Sequence, residues 1–276
     1  MHGSQFGQRD PLNLPPATIE MPRVNSDRRR DARSLAEEAP VALVYDGTTA
    51  AVVMATPADL SDLAIGFSLT EGIIRESGEI EDIDIALGAD GIELRMWLRA
   101  DCGSRFKARQ RRLVGPTGCG LCGIESLSEA ARRLPVVKRD IFLTPGQIGQ
   151  AVEALAISQR LNRETRAVHA AGLYMPDHQT IITREDVGRH NALDKLAGAL
   201  AAAKAGANRG AVILTSRISV EMVQKAAHIG AGIIVAVSAP TALAVRTADA
   251  CGMTLVGIAR GREFEIFTHP AAIALY

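Results

Sequence analysis

The chain has 276 residues, of which 47% are hydrophobic, enough for one large domain or two smaller ones. Its 31 basic side chains balance 31 acidic ones, so a nucleic-acid-binding surface is not indicated. Four cysteines are too few for a disulfide-stapled scaffold, and neither a signal-peptide core nor a run of about 18 apolar residues is found. The composition predicts a cytoplasmic protein with reduced thiols and no membrane contact.

The N-terminal segment is polar, contains prolines and carries an arginine cluster at residues 28–30. This composition predicts a disordered tail over residues 1–37. The first ordered elements are expected to be two strands at residues 40–45 and 50–55, because the Asp-Gly pair between them favours a hairpin turn.

A helix is expected after these strands, since Thr56 and Pro57 are typical of an N-cap and a first helical residue. Two further strands follow at residues 83–87 and 92–98, around another Asp-Gly pair. These elements predict an N-terminal α+β subdomain over residues 38–143.

A second unit begins at Thr144, where Gln147 completes a capping-box pattern. Short, continuously apolar strands then alternate with helices, which indicates parallel pairing beneath helices on both faces. The sequence therefore predicts a three-layer α/β/α domain with a mixed sheet over residues 144–276. The predicted strands are 168–175, 180–184, 211–215, 233–237, 254–258 and 263–268, and the predicted helices are 144–163, 191–205, 219–229 and 241–250.

The stretch around which the chain is organised is residues 115–123, where Cys119 and Cys122 lie among four glycines. Glycine adopts positive φ freely, so the segment is expected to be a mobile or tightly turning loop with exposed thiols. A predicted helix begins directly after the loop, and a basic run precedes it. Both features favour thiolate over thiol, which indicates nucleophilic sulfur.

Two other interpretations of this cysteine pair remain open. The pair can be half of a zinc site, but such a site usually needs four ligands. Only the isolated Cys102 and Cys251 are left, and the six histidines show no zinc-binding spacing, so no metal ligand is assigned. The pair can also be two small hydrophobic residues that glycines happen to flank.

A ligand of such a sheet is expected outside the carboxyl ends of the strands. The predicted strand-to-helix turns 215–219 and 237–241 carry hydroxyls at helix N-termini, and the first adds Arg217, a pattern typical of phosphate binding. Ordinary capping by Ser219 and Thr241 explains the hydroxyls but not the arginine.

A third turn, at residues 257–262, carries Arg260 and Arg262, which can clamp phosphate or lie in solvent as part of a surface turn.

Residues 184–191 form a dense polar cluster at a strand-to-helix junction. Asp186 or Asn191 is expected to cap the following helix. That leaves three candidates for ligand contact, namely Glu185, Arg189 and His190. His169, on a short strand, is expected to be a core histidine.

Taken together, these motifs closely resemble the FdhD family of formate dehydrogenase accessory sulfurtransferases. The resemblance covers nearly everything from Glu38 to Pro270. It rests on residues 38–45, 64–74, 117–123, 185–195, 216–217, 221–225 and 268–270.

The resemblance implies a function. Family members accept sulfane sulfur from a cysteine desulfurase as a persulfide on the C-x-x-C loop. They pass it to the bis-molybdopterin guanine dinucleotide cofactor (Mo-bisMGD), which activates formate dehydrogenase. Cys119 is then the persulfide cysteine and Cys122 its partner. The family's cofactor-binding stretch falls on Ile258, Ala259, Arg260, Gly261 and Arg262, in a loop that looks one residue shorter than in members with a proline before the glycine.

The implied partners are the desulfurase and the catalytic subunit of formate dehydrogenase, and GDP-like nucleotides are expected to mimic the cofactor. Two dinucleotide arms favour a broad or shared site and therefore a homodimer. The family fold is similar to that of cytidine deaminase. Deamination itself is not expected, because the His169 segment lacks the catalytic glutamate of the deaminase zinc signature. The alternative function is a chaperone that binds the cofactor without transferring sulfur.

Overall fold

The computed structural model describes residues 14–103, 105–107 and 134–275. Within these ranges the strands form sheets of two, four and six strands. The strands are β1 (Thr18–Val24), β2 (Arg30–Ala36), β3 (Ala39–Tyr45), β4 (Thr48–Ala55), β5 (Ile80–Leu87), β6 (Ile92–Leu98), β7 (His169–Met175), β8 (Thr180–Asp186), β9 (Ala211–Leu214), β10 (Ile233–Ala236), β11 (Thr254–Arg260) and β12 (Glu263–Ile266). The α-helices are α1 (Leu60–Thr70), α2 (Pro145–Ser158), α3 (Arg160–Thr165), α4 (Arg189–Ala202), α5 (Val220–His228) and α6 (Ala242–Ala250).

The six-stranded sheet has the order β12-β11-β10-β9-β7-β8, and the β9-β10 and β10-β11 pairs are parallel. Its central strands are apolar throughout because both faces are covered. Ile213 and Val235 pack in one cluster with helix α2, whereas their neighbours Val212 and Ile234 pack in another with α4, α5 and α6. The predicted mixed α/β architecture, with helices on both faces of the sheet, is confirmed. Its likeness to cytidine deaminase stays a prediction.

The second unit begins as the sequence predicts. The Thr144 hydroxyl accepts from the backbone N–H of Gln147, and the Gln147 side chain accepts from the Thr144 N–H in return. The connector before it, residues 134–143, contacts this unit: the Val137 N–H donates to the carbonyl of Cys251 at 2.9 Å.

The four-stranded sheet has the order β4-β3-β6-β5, and both predicted hairpins of the N-terminal unit are present in it. Helix α1 shares a core cluster with this sheet. The prediction that Thr56 caps this helix is wrong, because α1 begins at Leu60, after Asp59 in the left-handed conformation. Thr56 is fully buried, and its hydroxyl accepts from the backbone N–H of Val187 at 3.1 Å. The Thr56 hydroxyl oxygen, which the local sequence predicts to cap α1, therefore accepts a hydrogen bond from the second unit instead.

Strands β1 and β2 form an antiparallel hairpin, so the prediction of a disordered tail over residues 1–37 is wrong where it covers them. Most residues of this hairpin are exposed, which explains its polar composition. Backbone pairing holds it together, with an ion pair between Arg23 and Asp31 at 2.7 Å. The Arg33 guanidinium also donates to the carbonyl of Thr165 at 3.3 Å, which ties β2 to α3.

Helices α1 and α4 cross at very close range and join the two units. A Cβ atom built on Gly66 would lie 1.6 Å from the carbonyl oxygen of Asp194. A Cβ atom on Gly198 would lie 2.0 Å from the carbonyl oxygen of Asp62. The two helix backbones are therefore in direct contact, which only glycine permits at these positions.

A buried ion pair lies beside this crossing. Lys195 Nζ lies 2.6 Å from Asp186 Oδ2, and both side chains are fully buried. Lys195 also donates to the carbonyl of Thr56 at 2.9 Å, and Asp186 accepts from the Thr56 N–H at 3.0 Å. The two charged side chains of the second unit thus form hydrogen bonds with the backbone N–H and carbonyl of Thr56 in the first unit.

A second buried network connects the units at the other end of α1. Lys225 donates to both carboxylate oxygens of Asp194, at 2.9 and 3.0 Å, and to Glu71 at 2.8 Å. The hydroxyl of Thr70, at the end of α1, donates to Asp194 at 2.6 Å. Each charge in this network therefore has an opposite charge or a hydrogen-bond partner, as burial requires.

Replacement of Gly66 by alanine is expected to lower the free energy of unfolding by about 3 kcal/mol, because the added methyl group forces two helix backbones apart. Gly78→Ala is the matched control, since a Cβ atom there meets nothing within 4 Å. We expect its effect to stay within about 0.5 kcal/mol. Urea unfolding measures both, and equal stability of the two variants would contradict the close crossing.

Candidate functional site

The candidate site lies at one edge of the six-stranded sheet. Strands β9, β10 and β11 are parallel, and β8 runs the same way because β7 is antiparallel to both β8 and β9. The carboxyl ends of these four strands therefore share one edge, where ligands of such sheets bind.

The three loops that the sequence singled out are neighbours at this edge. The Thr241 N–H donates to the carbonyl of Ile218 at 2.9 Å, which joins the loops after β9 and β10. The Ile258 N–H donates to the carbonyl of Ser238 at 3.3 Å, which joins the loop after β10 to the end of β11. The structure thus brings residues 215–219, 237–241 and 257–262 together.

The three candidate arginines of these loops are all exposed. Arg217 follows β9, whereas Arg260 and Arg262 lie at the turn between β11 and β12. The Arg260 Nε donates to the carbonyl of Val237 at 3.4 Å. Three guanidinium groups at adjacent loops, accessible to solvent, are suited to binding phosphate groups.

The backbone of the β11-β12 turn has an unusual shape. Ile258 adopts a φ of 54°, in the left-handed region, and the pairing register shifts between Gly257 and Arg260. Gly261 has a φ of 59°. Ala259 is buried, so the bulge anchors the turn while its arginines point outward.

Helix α6 is capped as predicted, because the Thr241 hydroxyl accepts from the Ala244 N–H at 3.2 Å. Helix α5 is not. Ser219 occupies the N-cap position but makes no capping hydrogen bond, and its buried hydroxyl has no partner among the described residues. Ordinary capping, the alternative to phosphate binding at this turn, therefore does not account for the Ser219 hydroxyl.

Helix α4 also begins without a side-chain cap, so the expectation that Asp186 or Asn191 caps it is wrong. Asp186 binds Lys195 instead, and the Asn191 amide donates to the carbonyl of Met54 at 2.8 Å. Both side chains are used to join the two units.

Of the three ligand-contact candidates in this cluster, Glu185 has a structural role. Its carboxylate accepts from the backbone N–H groups of Leu161 and Asn162, both at 2.9 Å, and so caps α3. Arg189 and His190 each keep a buried nitrogen without a partner among the described residues. They stay candidates for ligand contact.

Two histidines near α4 have shifted pKa values. Burial, together with the positive charges of Lys225 and Arg189, lowers the pKa of His190 to about 4. The negative charges of Glu221 and Glu71 act in the opposite direction. Burial and Arg189 also lower the pKa of His169, which is half-buried at the start of β7. Both imidazoles are therefore neutral at pH 7.

Three charged residues of this region, Lys195, Lys225 and Glu221, are not among the candidates that the sequence predicts. Both lysines are buried on helices whose other buried residues are mostly apolar, and a lysine at such a position signals a buried acidic partner. Glu221 gives no comparable signal, since a glutamate in the first turn of a helix is ordinary.

Cys119 and Cys122 lie outside the described residues. The two described cysteines, Cys102 and Cys251, are free and buried, and burial raises the pKa of each thiol. Cys102 lies close to Asp101 and Glu79, the one group of possible metal ligands in the described part of the chain. Arg105 already pairs with Glu79 at 2.5 Å.

The profile of the FdhD/NarQ family matches residues 36–274 of the chain. The chain belongs to this family. It is 52% identical over 244 residues to the sulfur carrier protein FdhD of Agrobacterium fabrum, a match that spans 88% of this chain and 90% of that one. The sulfur carrier protein FdhD of Cupriavidus necator is 48% identical over 236 residues, which cover 86% and 82% of the two chains.

A solved structure has the same fold. It is described as that of a formate dehydrogenase accessory protein from Desulfotalea psychrophila and superposes with a TM-score of 0.73 at 26% identity. The match covers 94% of this chain and all of that one. Across the described residues, no helix combines the length and apolarity that a membrane crossing requires.

The depressed pKa of His190 predicts a pH dependence of stability. A histidine that stays neutral in the folded state but protonates near pH 6.5 when unfolded costs stability as the pH falls from 6.5 to 4. Each pKa unit corresponds to about 1.4 kcal/mol, so the loss by pH 4 is about 3 kcal/mol. The variant His190→Gln should lose that much less over the same range in urea unfolding.

The exposed His178 provides the control. His178→Gln should follow the wild-type pH profile, and a His190→Gln profile parallel to wild type would show that His190 protonates freely in the folded protein.

Proposed function

We propose that this protein is a sulfur carrier for formate dehydrogenase. In this proposal it accepts persulfide sulfur from a cysteine desulfurase and transfers it to Mo-bisMGD before or during insertion of that cofactor into the enzyme. The observation that supports this function most directly is family membership. The family match covers residues 36–274, which include Cys119 and Cys122, and the relatives are named sulfur carrier proteins. Formate dehydrogenase enters as partner through the description of the solved relative.

The sulfur step requires a thiolate. Cys102 and Cys251 are buried with raised pKa values, which leaves Cys119 and Cys122 as the candidate nucleophiles. The Cys119 thiolate attacks the outer sulfur of the desulfurase persulfide. The sulfur–sulfur bond of that persulfide breaks, and the desulfurase cysteine leaves as a thiolate. The product is a persulfide on Cys119.

Delivery of the sulfur as sulfide needs two electrons, which the second cysteine can supply. The Cys122 thiolate attacks the inner sulfur of the Cys119 persulfide, and hydrosulfide leaves for the bound Mo-bisMGD. A Cys119–Cys122 disulfide remains, and a cellular thiol reductant returns it to two thiols.

Mo-bisMGD is the substrate that receives the sulfur, and its phosphates are proposed to bind the loops at the carboxyl edge. The exposed guanidinium groups of Arg217, Arg260 and Arg262 on adjacent loops support this assignment. The proposed contacts also include the turn residues Ile258, Ala259 and Gly261. Because the cofactor carries two guanine dinucleotide arms, we propose that two copies of the chain bind it as a homodimer.

Replacement of Cys119 by alanine should abolish persulfide formation. After incubation with a cysteine desulfurase and cysteine, the intact wild-type protein should gain the mass of one sulfur atom, and Cys119→Ala should not. Cys122→Ala should keep the added sulfur but fail to activate formate dehydrogenase, because the electrons for release are missing. Cys251→Ala is the control and should behave as wild type.

Other outcomes separate the alternatives. Normal activation of formate dehydrogenase by Cys119→Ala would favour a chaperone that binds the cofactor without sulfur transfer. Loss of a stoichiometric metal together with unfolding in both Cys119→Ala and Cys122→Ala would favour a zinc site.

The phosphate site is tested with GDP as the probe. The double variant Arg217→Ala, Arg262→Ala should bind GDP at least tenfold more weakly in isothermal titration calorimetry, since two charge-assisted contacts are lost. Arg209→Ala is the control, because Arg209 is also exposed but precedes β9 and so lies at the opposite edge of the sheet. Equal GDP affinity of the double variant and the control would refute the assignment.

A further inference from the structure

The four-stranded sheet has an outer face that is open to solvent. Helix α1 packs on the other face, against the buried side chains of β3 and β6. On the outer face, Val52 and Met54 of β4 and Trp97 of β6 are 55%, 47% and 41% exposed. The strand pairing places these three side chains on the same face. Exposed apolar side chains grouped on one face mark an interaction site.

One margin of this outer face is acidic. Strand β5 lies at the edge of the sheet and places Asp82 beside Trp97 and Asp84 beside Arg95. Residues 76–93, which contain β5, hold seven acidic side chains and no basic one. The outer face therefore combines exposed apolar side chains with a negatively charged margin, and it fits a partner that is apolar and basic.

The β1-β2 hairpin, here called the arm, has that complementary character. The cross-strand pair Ile19 and Leu35 lies on one face of the arm together with Met21, and the three side chains are 36%, 42% and 48% exposed. The tip of the arm carries arginines at residues 28–30, all of them exposed. A two-stranded hairpin is only marginally stable by itself, so an arm of this kind needs a surface that covers it.

The arm and the outer face also match in size. Each strand of the arm has seven residues, so at about 3.3 Å per residue the arm is about 23 Å long. At about 4.8 Å between neighbouring strands, the four strands of the sheet span about 14 Å. The arm is therefore long enough to cross the whole face, with its arginine tip at the acidic margin.

Within one copy of the chain these two surfaces do not cover each other. The arm contacts α3 through Arg33, and the apolar side chains of both the arm and the outer face stay exposed. A second copy presents the same outer face. If each copy lends its arm to the other, two identical contacts form, as a closed two-fold dimer requires.

We propose that the arm of one copy packs across the outer face of the four-stranded sheet of a second copy, and that the exchange is reciprocal. The apolar face of the arm covers Trp97 and the exposed side chains of β4, and the arginines at residues 28–30 lie against β5. Exposed ion pairs contribute little affinity, so the apolar contact supplies the affinity and the charges set the orientation. This contact rests on the proposed function for its homodimer and names the surface that joins the two copies.

Charge exchange between two full-length variants tests this contact. The arm variant carries Arg28→Glu, Arg29→Glu and Arg30→Glu, and the sheet variant carries Asp82→Arg and Asp84→Arg. Each variant alone should dimerise at least about tenfold more weakly than wild type in sedimentation equilibrium, because like charges then face each other. An equimolar mixture of the two should regain wild-type affinity as a heterodimer, since both of its contacts again join opposite charges.

The matched control for the arm variant reverses three exposed basic residues outside both surfaces. Lys138→Glu, Lys204→Glu and Arg209→Glu together change the net charge equally and should dimerise as wild type does. Trp97→Ser should weaken dimerisation about tenfold without a change of charge, since a buried tryptophan dominates the affinity of an interface. It also serves if a charge-reversed variant fails to fold. Phe142→Ser, at a side chain that is 72% exposed, is its control.

Arm exchange is overturned if the arm variant and Trp97→Ser dimerise as wild type does, or if the mixture of folded variants fails to associate. In that case a wild-type dimer leaves the homodimer of the proposed function standing on another surface. A monomeric wild type overturns both the arm contact and that homodimer. The sulfur-carrier function is read separately, from the persulfide on Cys119 by mass, and a failed arm contact leaves it unchanged.

Discussion

The interface between the two units depends on the buried ion pair of Asp186 and Lys195. Both side chains are fully buried, and each binds the backbone of Thr56 in addition to its partner. A buried pair of this kind is not needed for stability as such, but removal of one partner is expected to cost about 3–5 kcal/mol because the other charge is left unpaired. The pair therefore dictates which segment of the N-terminal unit can lie against β8 and α4.

The sequence predicted those elements whose signals are local. The Thr144 capping box, the Asp-Gly hairpins and the apolar strands β9 to β11 depend on neighbours in the chain, and all were confirmed. Thr56 and Ser219 carry the same local signal as Thr144, yet neither caps a helix. The Thr56 hydroxyl instead accepts a hydrogen bond from a residue 131 positions away. No local sequence pattern reveals such a contact. The β1-β2 hairpin escaped prediction because exposed strands and disordered tails share a polar composition.

The candidate site was predictable in outline but not in detail. Parallel pairing of β9, β10 and β11 is enough to place the three arginine-bearing or hydroxyl-bearing loops at one edge. The different roles within residues 185–191 were not predictable. Glu185, Asp186 and Asn191 bind structural partners, whereas Arg189 and His190 each keep a buried nitrogen without a partner among the described residues. Only the three-dimensional accounting of hydrogen bonds separates the two groups.

The glycine-mediated crossing of α1 and α4 has a mechanical consequence. Helix α4 has 14 residues and is about 21 Å long, with its first turn at the candidate site and its middle against α1. Two helix backbones in direct contact leave no side-chain layer that could shear or repack between them. The N-terminal unit, from which the cysteine-containing segment continues, is thus packed directly against α4, the helix that begins at Arg189. A rotation of α4 at the candidate site would therefore also displace α1.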